Sequence, residues 1–229
     1  MFVCFPDGSE KRKMKKLGLF LALMLVLGSF STVSASLVGV GPLIADQYPD
    51  IIFDNIGTIN YTASDDQFDL AAIDLTIAYS PTEYYSIFGV AMSMNLTVDG
   101  DGDIVGTGTM TEIVGETSVT IRGETYTSGT VLLAGSVHAF GWGDTANASG
   151  YWDFDFLMNN VSGALIDDGL WPDNVDIGIT ATAEQLNGWT GSWDSDFELN
   201  KVKGDKAPIP EPATMCLLGL GALLIRHKK

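Results

Sequence analysis

The sequence predicts an all-β body, an antiparallel β-sandwich or jelly roll, flanked by an N-terminal signal peptide and a short C-terminal transmembrane helix. Three observations carry this. Segments rich in Thr, Val, Ile, Tyr and Phe recur at short spacing, with Gly, Asp, Asn or Pro between them. Residues 151–157 alternate with period 2, placing Trp152, Phe154 and Phe156 on one face and Tyr151, Asp153 and Asp155 on the other. No run of helical periodicity interrupts the strands to cover a parallel sheet. A barrel is the alternative closure of the same strands, and the absence of an obvious internal repeat argues against a solenoid or propeller.

At the N-terminus, Lys15 and Lys16 precede an apolar run over residues 17–27, and Val33, Ser34 and Ala35 supply small side chains at the positions a signal peptidase reads. Cleavage is expected after Ala35, with Met14 as an alternative start to Met1. Residues 36–200 then form the predicted β domain. Its strands are expected over residues 56–63, 67–79, 85–98, 104–114, 117–122, 125–142, 151–157, 175–181 and 196–202, with one hint of a helical turn at 183–186. The segment 201–209, with three lysines, Gly204, Asp205 and Pro208, reads as a solvated linker.

The last twenty residues divide into three parts. Pro210 and Pro212 flank Glu211 and hold the chain extended, so an enzyme groove could bind it as a strand. Residues 213–225 are apolar, yet a helix of that length rises only about 20 Å against a hydrocarbon core of about 30 Å. Arg226, Lys228 and Lys229 close the chain as a basic stop on the cytoplasmic side. This order of Pro-Glu-Pro, apolar span and basic end resembles the PEP-CTERM sorting signal of Gram-negative bacteria. The resemblance covers residues 210–229 and implies recognition by an exosortase, a transient stay in the inner membrane after signal peptidase has acted, and release or display at the cell surface. Proteins with this signal are associated with exopolysaccharide and biofilm, so the resemblance implies an extracellular-matrix role for an exported, non-enzymatic protein.

Charge excludes one class of partner. Between residues 36 and 207 lie 26 acids against 4 bases, Arg122, Lys201, Lys203 and Lys206, a net of −22. Such a surface repels nucleic acid, whose affinity for proteins rests on Lys and Arg. Cys4 and Cys216 fall outside this body, so it has no disulfide or thiol chemistry and must be held by its core.

Candidate site residues within the body are few. Asp99, Asp101 and Asp103 begin like a calcium loop, but Ile104 stands where that loop needs glycine and Met110 where it needs glutamate. A hairpin turn is the simpler reading, with calcium as a weak cofactor candidate and no other cofactor or metal expected. Trp189 and Trp193 sit beside glycines and acids and are candidate sugar contacts, which keeps a carbohydrate-binding module as an alternative function. Asp153 with Asp155, or Asp194 with Asp196, could flank a glycosidic bond in a secreted hydrolase. His138 is the only histidine of the body, so a multi-histidine metal site cannot be built from it.

Overall fold

The computed structural model of the protein describes residues 37–145, 150–186 and 188–210. The expected signal peptide, with Val33 and Ala35, lies outside these residues, as do Glu211, Pro212, the apolar span 213–225 and the basic end Arg226, Lys228 and Lys229. Among the described residues, no helix is long and apolar enough to cross a membrane.

Ten strands form in chain order: β1 (Asp50–Thr62), β2 (Gln67–Ser80), β3 (Glu83–Thr97), β4 (Gly108–Val114), β5 (Val119–Ile121), β6 (Glu124–Tyr126), β7 (Val131–Asp144), β8 (Tyr151–Ser162), β9 (Ile177–Gln185) and β10 (Phe197–Pro208). Two single-turn helices accompany them, α1 (Gly41–Ile44) and α2 (Ala164–Asp167). Eight strands close into one antiparallel barrel in the order β1-β10-β9-β8-β7-β4-β3-β2, and β5 pairs only with β6. This corrects the sandwich or jelly roll. The strands and their antiparallel pairing are as expected, but β1 bonds both β2 and β10, leaving no free edge in that sheet.

Closure requires coiling, and the sequence supplies it at particular places. The β1–β2 register shifts between Ile52 and Gly57, the β2–β3 register between Asp74 and Thr76, and the β10–β9 register between Asn200 and Lys203. Such bulges bend a strand and raise its twist. Gly204 follows the last of these shifts, and any Cβ there would collide with the Thr180 carbonyl and the Phe53 ring. These local features sit within segments whose average pattern is ordinary strand, so periodicity alone does not separate a closed sheet from two packed ones.

The interior is packed with side chains rather than open, as expected for eight strands. Ile51, Phe53, Ile59, Phe68, Leu70, Met92, Met94, Phe154, Phe156 and Ile179 are buried within it. On β3 the alternation is clean: Met92, Met94 and Leu96 point in, and Ser93, Asn95 and Thr97 point out. Apolar inside and polar outside is the inverse of a lipid-facing barrel.

Three further expectations change. Residues 201–208, read as a solvated linker, are the second half of β10, paired on both sides to β1 and β9. Lysine-rich composition suggested a tether, but only alternate lysines need solvent: Lys201 and Lys203 are exposed while Lys206 turns inward. The suggested helical turn at 183–186 is the end of β9, where Ala183 pairs with Trp152. Asp155, assigned to the wet face of β8, is covered.

Candidate functional site

Asp155 is covered because the chain entering the barrel crosses over it. Asp155 Oδ2 accepts hydrogen bonds from the backbone N–H groups of Gly39, at 2.9 Å, and Val40, at 3.0 Å. Desolvation raises the Asp155 pKa, opposed by those two bonds. Val40 and Ile44 pack with Ala207, Leu157 and Ile209 into a small second core on the outer face of β8, β9 and β10. Gly178 makes this contact geometrically open, since a Cβ there would lie 2.6 Å from both Val40 and Ile44 side chains. The Ile209 N–H donates to the Asp176 carbonyl at 2.8 Å. The segment following the expected signal-peptidase site and the segment leading to the Pro-Glu-Pro motif therefore meet on one patch. Pro210 is half-buried and one residue beyond it, with no spacer.

The carboxylates considered for glycoside hydrolysis have partners within the fold. Asp153 accepts from Thr182 Oγ1 at 2.7 Å, while its neighbour Asp155 is sealed by the entering strap. Asp194 and Asp196 are exposed and shape loops: Asp196 Oδ1 accepts from the Ala63 N–H at 2.8 Å, and Asp194 Oδ2 accepts from Ser192 Oγ at 3.2 Å.

Four of the five tryptophans, Trp142, Trp152, Trp189 and Trp193, gather in one aromatic cluster that caps the barrel. Trp189 and Trp193 are only 7% and 2% exposed, against the expectation of an open sugar platform. Trp189 stacks on Phe197 with ring centroids 4.0 Å apart, and Trp193 meets Tyr61 edge-on at 4.9 Å. Trp142 and Trp152 complete the cap. Glycine-rich flanks suggested exposure. Instead Gly102, at φ +85°, lets a neighbouring loop close over the indoles, where a Cβ would strike Trp142 and Trp193. A shallow hollow of about 150 Å³ remains beside Trp189 and Phe197. Trp171 is buried among the apolar side chains that also include Leu165 of α2.

In the loop expected to turn, Asp99 Oδ1 accepts from the N–H groups of Asp101 and Asp103, both at 3.0 Å, and Val98 bridges to Ile104. The Asp99 carboxylate thus stabilises the hairpin connection itself. Among the described residues, no three His, Cys, Asp or Glu side chains are placed to hold a metal ion. His138 is half-buried on β7 and its Nδ1 has no hydrogen-bond partner.

The chemically unusual group was not anticipated from sequence. Lys206 of β10, Asp74 of β2 and Glu112 of β4 are all completely buried inside the barrel. Lys206 Nζ donates to Asp74 Oδ1 at 2.7 Å and lies 2.5 Å from Glu112 Oε1, with Met92 Sδ at 3.2 Å. The Phe53 ring centroid lies 5.3 Å from Nζ. Asp74 Oδ2 and Glu112 Oε2 have no partner. Desolvation raises the Asp74 pKa against the pull of Lys206, and it pushes Glu112 up to about 7. Burial presses Lys206 downward, but the two carboxylates outweigh it and raise its pKa. One cation between two carboxylates leaves an excess negative charge in a dry interior unless a proton is shared. Asp74 and Glu112 lie within segments expected to be strands and Lys206 within the expected linker, and only the register shown by barrel closure brings the three together. The signal available in sequence was alternation: Asp74 and Glu112 occupy positions in phase with inward-facing Ala72 and Met110.

No curated protein and no solved structure matches the chain. The C-terminal end is different, for residues 208–229 match the family model of the PEP-CTERM protein-sorting motif, beginning at the last residue of β10. The chain thus ends in a PEP-CTERM sorting signal, which implies export through the membrane and exosortase-dependent sorting to the cell envelope.

Proposed function

We propose that this protein is a non-enzymatic structural component of the cell surface or extracellular matrix, held by its tail in the inner membrane until an exosortase processes it near Pro210–Pro212. The observation that carries this reading is the sorting motif starting where the barrel stops. An acidic, disulfide-free barrel with a filled interior suits an extracellular setting rich in hydrated polysaccharide, where strong negative charge keeps the protein soluble and apart from its neighbours. Association with exopolysaccharide is then a matter of surface hydration and hydrogen bonding, since the indoles of Trp189 and Trp193 are engaged in the barrel cap. A carbohydrate-binding module is our second reading, weakened by that engagement, and a hydrolase our third, weakened for Asp153 with Asp155 by the hydrogen bonds that cover Asp155.

The test is fractionation and intact mass of the protein from producing cells, with and without the exosortase. The expected result is a trimmed form at the surface or in the medium when the enzyme is present, and an untrimmed membrane form when it is deleted. An identical full-length species in the cytosol of both strains would refute the reading.

A further inference from the structure

The Lys206–Asp74–Glu112 cluster has the composition and placement for a covalent reaction that no sorting role requires. We propose that Lys206 Nζ condenses with Asp74 Cγ to form an intramolecular isopeptide bond between β10 and β2, with Glu112 as the catalytic proton relay.

Geometry supplies the first requirement. The 2.7 Å hydrogen bond from Nζ to Oδ1 holds the amine against the carboxyl group, so that one hydrogen bond and one carbon–oxygen bond separate Nζ from Cγ. Groups positioned as near-attack pairs, with reacting atoms about 3–3.5 Å apart, gain effective molarities on the order of 10⁵ M or more. Burial supplies the second. All three side chains are fully enclosed, so water neither solvates the charges nor competes as a nucleophile. Asp74 Oδ2 and Glu112 Oε2, both buried and unpartnered, are the two oxygens a proton relay needs free.

The step balances without a co-reactant. In the neutral arrangement of the cluster, Lys206 is an ammonium, Asp74 a carboxylic acid and Glu112 a carboxylate. Glu112 takes one proton from Nζ, leaving an amine whose lone pair attacks Asp74 Cγ. As the tetrahedral centre collapses, Glu112 gives that proton to the departing hydroxyl and takes a second one from Nζ through its other oxygen. The N–C bond forms, the C–O bond breaks, one water leaves, and Glu112 ends as the neutral acid. A buried ion pair is replaced by an amide, which removes the cost of holding charge in the interior.

The placement has a mechanical meaning. Lys206 stands four residues before Pro210, and β1 separates β10 from β2 in the sheet. A bond there fastens the strand that carries the sorting tail to the body across the intervening strand, so force applied through the tail cannot peel β10 away.

The experiment is chymotryptic peptide mapping by mass spectrometry of the protein recovered from producing cells, with the Lys206 peptide, which begins at Asn200 and runs past Pro212, searched both intact and trimmed within Pro210–Pro212. The expected product is a branched peptide joining Lys206 to Asp74, lighter than its two parts by one water. Glu112→Gln should give the same fold with Lys206 and Asp74 in separate peptides. Lys206→Arg, which keeps the cation, should also remain unlinked, and it serves if Glu112→Gln does not accumulate. Recovery of wild-type Lys206 as a free amine would overturn the proposal. A branch to Glu112 instead of Asp74, or a bond that persists in Glu112→Gln, would overturn the assigned roles.

Discussion

Lys206 on the last strand of the barrel lies 2.7 Å from Asp74 on the second, although the first strand runs between them. This pairing ties the C-terminal strand to the front of the chain inside a core that offers no solvent. Its energetics are unforgiving, because each charge is tolerated only through the others.

Removing the cation should be severe. Lys206→Met leaves two carboxylates buried without a partner, and breaking a buried pair costs about 3–5 kcal/mol. Urea unfolding at neutral pH should show a loss of that size, and a loss under about 1 kcal/mol would mean the cluster is hydrated.

Glu112 should make stability fall with rising pH. Its folded pKa, about 7, lies above the ordinary 4.5, so the folded state binds the proton more tightly. The contribution is complete below 4.5 and is lost as pH rises through 7. Asp50, raised to about 6 chiefly by desolvation, acts in the same direction. Melting temperature scanned from acid to neutral pH should therefore drop more steeply in the wild type than in Glu112→Gln, by the equivalent of a few kcal/mol. Parallel curves would remove Glu112 as the titrating group.

The entering strap should depend on one carboxylate. Asp155→Ala leaves the Gly39 and Val40 N–H groups without their acceptor, a cost of about 1–3 kcal/mol. Hydrogen exchange should accelerate at residues 39–45 ahead of the barrel strands. Uniform acceleration over the whole domain would show that the strap is not a separate unit.

Trp193→Ala should act on stability. A large aromatic deleted from a filled core costs about 3–5 kcal/mol. Chemical denaturation measures this directly, and a wild-type midpoint would place the indole outside the cap.

Processing should be limited by access at the tail. Ile209, next to Pro210, is pinned to the Asp176 carbonyl and packed against Val40 and Ile44, so an enzyme groove that binds the chain on both sides of Pro210 must first release Ile209. A short Gly-Ser insertion between Ile209 and Pro210 should raise the ratio of trimmed to untrimmed protein in exosortase-containing cells. An unchanged or lower ratio would place the slow step elsewhere.

The sequence alone determined the strands and the address. Enrichment in β-branched and aromatic residues between turn formers is a property of neighbouring residues, so residues 67–79 and 85–98 were readable as the cores of β2 and β3. The Pro-Glu-Pro motif, apolar span and basic end are likewise contiguous, and physical chemistry along a short stretch is enough to recognise them. Tertiary structure alone decided closure, burial of charge and the fate of the linker. Whether β10 meets β1 depends on twist accumulated over eight strands and on bulges at a few residues, a global sum that no window contains. Lys206 looked like a solvated lysine because composition reports average exposure, whereas its actual environment is set by Asp74 and Glu112, which stand 132 and 94 positions earlier in the chain.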